Sequence, residues 1–182
     1  MASAAVSITK YLRFFRKQRL HSVLDYGAGT LRNARYLAEE GFEVYAADLP
    51  AQVERIMAMA GRRQLAGVLN CDELGASRLG VDLVISNYVL NIISDGSEKS
   101  SYLKNIVLNL RPQGYLLVEV RCRNQSLECC QGTCAGGHRC SDCIKTYSHG
   151  ELNDLLAPYG FRHVCHYYRR HSVAVLYQVM GH

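Results

Sequence analysis

The chain has 182 residues, 48% of them hydrophobic and 20% charged, with a formal net charge of +5. That size suits one well-cored domain over residues 1–182, and the composition excludes a disordered, fibrous or collagen-like chain. No apolar run approaches the roughly 20 residues that cross a bilayer, and the first 15 residues lack a basic segment followed by an apolar one, so a cytoplasmic protein with no membrane partner is expected.

Residues 1–20 place Ile8, Tyr11, Leu12 and Phe15 on one helical stripe, with Lys10, Arg13, Arg16, Lys17 and Arg19 beside it. An amphipathic helix packed on the domain is expected, its basic face solvated; contact with nucleic acid or an acidic surface is the alternative. "HSVLDY" reads as a buried strand, and "TLRNARYLAEEG" as a helix from about Thr30, closed by Gly41. "FEVYAADLP" is a second strand, "QVERIMAMA" a second helix, and "LAGVLNCD" a third strand ending at an acid. "VDLVISN" follows as a fourth strand. The helix "DGSEKSSYLKNIVLNL" comes next, with Asp95 and Glu98 spaced as a capping box and "RPQG" as its stop. "YLLVEV" is a fifth strand and "SHGELNDLLAPYG" a helix; "FRHVCHYY" and "SVAVLYQVM" are two strands joined by the turn "RRH", which should pair antiparallel. This alternation predicts an α/β fold: a mostly parallel sheet with helices on both faces and an antiparallel C-terminal strand pair. In such sheets ligands bind beyond the carboxyl ends of the strands.

The stretch "LDYGAGTLR" lies at one such end. Gly27 and Gly29 allow a tight turn and close approach of a ligand, and the following helix aims its free N–H groups at the same place. A dinucleotide is one candidate, because Asp48 stands 19 residues beyond Gly29, near the spacing of a ribose-binding acid. The third glycine of that motif, which permits close helix–strand packing beside a pyrophosphate, is replaced by Arg32.

"VLDYGAGTLRNARYLAEEGFEVYAADLP" resembles the first motif and second strand of class I S-adenosylmethionine-dependent methyltransferases, and "LRPQGYLLVEV" resembles their fifth-strand motif. The likeness spans residues 20–121, and 147–180 by element order. It implies a Rossmann-like seven-stranded sheet in the order 3-2-1-4-5-7-6, with S-adenosylmethionine as cofactor and S-adenosylhomocysteine as product. It also implies that Asp25, Gly27 and Gly29 border the methionine part, that Asp48 accepts the ribose hydroxyls and that Asp72 sits by the adenine. Asn87, Tyr88 and Asn91 fall where the family places the sulfonium and part of the acceptor site. Helix capping, local hydrogen bonding and packing are the alternative roles of these residues. "SNYVLNII" lacks the proline-containing tetrapeptide of many enzymes that methylate DNA base amines.

Methyl transfer from a sulfonium is an in-line displacement, and positioning the nucleophile is the protein's main task. Where the acceptor must lose a proton, Tyr88, Glu119, Cys122, Tyr147 and His149 are the candidate bases near the strand ends, with Tyr88 and His149 taken as the catalytic candidates.

Residues 122–146 form a cysteine-rich insertion after the fifth strand, placed to act as a lid. Its C-x3-C and C-x2-C pairs suggest a structural zinc on Cys130, Cys134, Cys140 and Cys143, with Cys122, Cys129 or His138 as replacements. Disulfides, redox-active thiols and iron–sulfur ligation are the alternatives. The expected activity is methyl transfer to an unidentified acceptor, a small molecule being favoured. A nucleic-acid methyltransferase and a non-catalytic S-adenosylmethionine-binding regulator are the other readings.

Overall fold

A computed structural model describes residues 3–122 and 145–181. Its elements in chain order are α1 (Val6–Lys17), β1 (Ser22–Tyr26), α2 (Arg32–Glu39), β2 (Glu43–Asp48) and α3 (Pro50–Ala58). A 3-10 turn, Ala60–Gln64, leads to β3 (Gly67–Asn70), α4 (Cys71–Ala76), β4 (Val81–Asn87), α5 (Gly96–Asn109) and β5 (Leu110–Arg121). After the insertion come α6 (His149–Leu156), a second 3-10 turn, β6 (Phe161–Tyr168) and β7 (Ser172–Val179). The strands form one seven-stranded sheet in the order β3-β2-β1-β4-β5-β7-β6, as the resemblance implied. The pairs from β3 through β5 are parallel, and β7 runs antiparallel to both β5 and β6.

Alternation along the strands divides the core. Leu24, Val84, Leu116, Val118 and Val175 face α4, α5 and α6, whereas Val23, Leu83, Ile85, Leu117 and Ala174 face α1 and α2. Ile8, Tyr11 and Phe15 of α1 are buried on that second face, so the first helix is seated by its apolar stripe as its spacing predicted.

Three boundaries differ from expectation, each through a local backbone device. Helix α2 starts at Arg32 rather than near Thr30, because Leu31 takes a left-handed φ of +62° with its N–H donating to Ala28 O at 2.8 Å. The third strand stops at Asn70, whose side chain accepts from the N–H groups of Asp72 and Glu73 while Glu73 accepts from Asn70 N; this capping box turns "CDELGA" into a helix. Strand β5 begins at Leu110, so "RPQG" lies within the strand, as an irregularity with Gln113 at φ +61° and a register shift opposite Val81 and Leu83.

Candidate active site

The glycine turn leaves β1 and is tied to β2 by three hydrogen bonds. Gly27 N and Ala28 N both donate to Ala47 O, at 2.8 and 3.2 Å, and Gly29 N donates to Asp48 Oδ2 at 2.8 Å. Gln52 at the start of α3 returns a bond from Nε2 to Gly29 O at 2.7 Å. Gly27 has φ +95°, and a Cβ there would stand 2.3 Å from Val89 Cγ2 on the loop after β4, so glycine is needed for both conformation and space. The turn, Asp48 and Val89 therefore form one cradle over the carboxyl ends of β1, β2 and β4.

Asp25 lies beneath this cradle at 1% exposure, and its Oδ2 has no hydrogen-bond partner. Burial pushes its carboxyl up to about 7, with the Ala34 N–H and Arg32 opposing the shift and Asp48 adding to it. Leu49 follows Asp48 and is 64% exposed, an apolar surface that the sequence reading did not single out. Asp72 is exposed on the first turn of α4, and Cys71 beside it donates its thiol to Asp48 O at 3.3 Å. Burial raises that thiol above its ordinary range.

Across the sheet edge, Asn87 of β4 and Glu119 of β5 are register partners. Glu119 is 1% exposed and accepts four hydrogen bonds. Its Oε2 takes Ser7 Oγ at 2.5 Å and Asn87 Nδ2 at 3.0 Å; its Oε1 takes Tyr88 OH at 2.7 Å and Ser172 Oγ at 3.1 Å. The Asn87 amide presents its nitrogen to Glu119, and Asn87 Oδ1 is left buried without a partner. Tyr88 is held at φ +61° by a second bond, from its N–H to Glu119 O at 2.7 Å. Its phenol is raised by burial and by the bond to Glu119, so it is held in its protonated form.

The remaining candidates are placed apart from this node. Asn91 is buried, with Oδ1 accepting from Arg121 N at 3.0 Å and Nδ2 donating to Lys145 O, while Lys145 N donates to Asn91 O at 3.1 Å. One asparagine thus joins the two stems that enter and leave the cysteine-rich insertion. Tyr147 is buried, donates to Leu90 O at 3.3 Å and has its phenol raised by burial, as burial raises the Cys122 thiol.

His149 opens α6 with Nδ1 2.8 Å from Tyr168 OH and its ring stacked 3.9 Å from that of His166. His163 Nε2 stands 3.0 Å from His166 Nδ1. A register irregularity between His163 and Cys165 brings that pair, three residues apart, onto one face of β6.

Cys130, Cys134, Cys140 and Cys143, with Cys129 and His138, lie outside the described residues. Among the described residues no group of three histidine, cysteine or acidic side chains is arranged to hold a metal ion, and no helix is long and apolar enough to cross a membrane. Sequence reading named Glu119 only as a candidate base. It missed Ser7, Ser172 and Leu49, because isolated serines and a leucine after a strand carry no periodic or motif pattern.

The family model described as a methyltransferase domain matches residues 4–178. No curated protein matches the chain in sequence. Among solved structures, the 1,6-didemethyltoxoflavin-N1-methyltransferase of Burkholderia thailandensis, with bound 1,6-didemethyltoxoflavin and S-adenosylhomocysteine, is similar at TM-score 0.70 and 21% identity, covering 97% of this chain and 79% of that one. An S-adenosylmethionine-dependent methyltransferase of Methanosarcina mazei matches at TM-score 0.70 and 19% identity over 100% of both chains. The magnesium protoporphyrin IX methyltransferase of Synechocystis, with bound S-adenosylhomocysteine, matches at TM-score 0.67 and 16% identity, covering 94% of this chain and 81% of that one.

Proposed function

The chain belongs to the methyltransferase-domain family, and we propose that its glycine turn holds S-adenosylmethionine for methyl transfer to a small-molecule acceptor at the β4–β5 edge. The observation that carries this reading is Asp25 Oδ2, a buried carboxylate oxygen without a partner directly under the turn. An ammonium is the group that would complete it, and the cofactor's methionine part carries one. The rest of the cradle suits the same molecule. Asp48 has lone pairs left after its bonds from Gly29 N and Leu49 N and would accept ribose hydroxyls. Leu49 supplies an apolar face for adenine, with Asp72 near its amino group. Asn87 stands at the end of β4, where the methyl-bearing sulfur would lie, and Gly27 and Gly29 let the backbone close on the methionine part.

When bound, the cofactor supplies a methyl group on a positively charged sulfur. The residues of this chain hold the acceptor about 3 Å away and on line. Tyr88 is fixed by Glu119 in its protonated state, so its role is to shape the acceptor side rather than to remove a proton. His149, engaged with Tyr168 and His166, is assigned no proton-transfer step. Asn91 acts through the insertion stems that it joins.

A small-molecule acceptor is supported by the names of the toxoflavin and protoporphyrin methyltransferases, whose fold this chain shares. The cysteine spacing supports a structural zinc on Cys130, Cys134, Cys140 and Cys143; metal analysis of anaerobically purified protein is expected to give about one zinc per chain.

The function is tested by calorimetric titration of S-adenosylmethionine into the wild type and Asp48→Ala, with native mass spectrometry of both as purified. Micromolar binding that is lost in the variant supports the assignment. A folded wild type that binds no S-adenosylmethionine overturns it.

A further inference from the structure

Ionisable side chains are segregated along the carboxyl edge of the sheet. The β1–β3 half carries Asp25, Asp48, Asp72 and Glu73, with Arg32 within electrostatic reach of Asp25. The β5–β7 half carries Lys10, Arg121, Arg169 and Arg170, all exposed. Its acids are committed elsewhere: Glu119 is buried under four donors, and Glu151 caps α6 through Ser148. Among the described residues, none of these four cations makes an ion pair.

Two of the cations converge on the acceptor side from different elements. Lys10 of α1 places Nζ 3.7 Å above the ring of Tyr167, whose hydroxyl is buried without a partner. Arg169 lies within electrostatic reach of both the Tyr167 and Tyr88 phenols. The turn that carries it is pinned by Arg169 N donating to Ser172 O at 2.7 Å and Cys122 N donating to His171 O at 3.1 Å. Its backbone is thus tied to β7 and to the end of β5, beside Glu119.

We propose that the methyl acceptor carries a carboxylate or phosphate group, and that Arg169, with Lys10 and Arg170, binds it beside Tyr88. The inference rests on the methyltransferase reading for the identity of the site. A positively charged cofactor on the acidic half and a negatively charged acceptor on the basic half complement the edge, and each attracts the other's charge toward the reacting centre. A guanidinium fork matches the two oxygens of such a group, which gives orientation as well as attraction. A small molecule is favoured over nucleic acid because, of the basic row of α1, Lys10 joins this patch whereas Arg16, further along the helix, pairs with Glu40 toward the amino end of the sheet.

The test is titration of citrate and of inorganic pyrophosphate into the full chain, followed by nuclear magnetic resonance. Wild type is compared with Arg169→Glu/Arg170→Glu and with a control, Arg62→Glu/Arg63→Glu, that removes the same charge from the 3-10 turn before β3. Binding weakened about tenfold or more in the first variant and unchanged in the control supports the proposal. No binding of either anion to the wild type, or equal weakening in both variants, overturns it. So does salt-dependent binding of a short single-stranded RNA that requires the same two arginines and displaces the small anions. S-adenosylhomocysteine affinity, measured on the same samples, is expected to be unaltered in both variants. Its absence from the wild type would remove the cofactor reading and leave the anion result standing.

Discussion

Ser7 Oγ, on the first helix, donates to Glu119 Oε2 at 2.5 Å, across 112 residues of sequence. The first helix is thereby fastened to the same carboxylate that fixes Tyr88 and Asn87. Glu119→Ala strands donors from four residues, two of them (Ser7 and Ser172) buried, so a loss of about 3 kcal/mol or more in stability is expected by urea denaturation. Ser7→Ala removes one of the four and is expected to cost about 1 kcal/mol. Equal effects from the two would mean that the carboxylate does not organise the edge.

Gly27→Ala is expected to abolish measurable S-adenosylhomocysteine binding and to lower the melting temperature. The new Cβ meets Val89 at 2.3 Å, and φ +95° disfavours any side chain. Adding Val89→Ala relieves the first cause alone, so the double variant should regain part of its stability. Full recovery would show that conformation at Gly27 is unimportant.

Asp25 sets a pH dependence whose sign follows from its raised carboxyl, about 7 in the free protein. A ligand ammonium beside Oδ2 favours the ionised form, so binding releases a proton. Affinity for S-adenosylhomocysteine should rise with pH up to about 7, by at most about tenfold per pH unit, and then level off. Asp25→Asn should flatten the acid limb, and calorimetry across this range would show it. Without ligand, the buried carboxyl costs stability as pH climbs from about 4 to about 7, so the same variant is expected to be the more stable protein at pH 8. Parallel pH curves for wild type and variant would contradict both expectations.

His166 acts in the opposite range. Burial first, then its neighbours His149 and His163, lower its proton affinity below the ordinary value. The unfolded chain therefore binds the extra proton more readily. The stability that depends on neutral His166 is complete above about pH 6.5 and declines as pH falls below it. Replacing His166 with Gln should reduce the slope of unfolding free energy between pH 5.5 and 6.5, as read by denaturation at each pH; an unchanged slope would place the titration elsewhere.

The strands were readable because parallel strands buried on both faces leave continuous apolar runs, as in "VDLVIS" and "YLLVEV", whereas their order in the sheet came only from the resemblance to class I methyltransferases. The glycine turn was readable because its geometry is built within 24 residues, from Asp25 to Asp48. The Glu119 node was not. Its partners stand 31, 32, 53 and 112 positions away and come together only when α1, β4, β5 and β7 are assembled. Helix α4 was hidden for a different reason: "LNCD" continues a strand pattern, and only the reciprocal Asn70–Glu73 bonds decide for the helix. The histidine pair escaped notice because positions 163 and 166 fall on opposite faces of a regular strand, and the irregularity that reunites them has no signature in the letters.

Asn91 gives the chain a modular joint. Because one side chain bonds to Arg121 before the insertion and to Lys145 after it, the polypeptide departs from and returns to a single anchored point. The entropy of closing a loop on such a point grows only with the logarithm of its length, about 0.6 kcal/mol per doubling. A change in the number of residues between Arg121 and Lys145 therefore adds little closure cost, and the seven strands would stay in register around the anchored point.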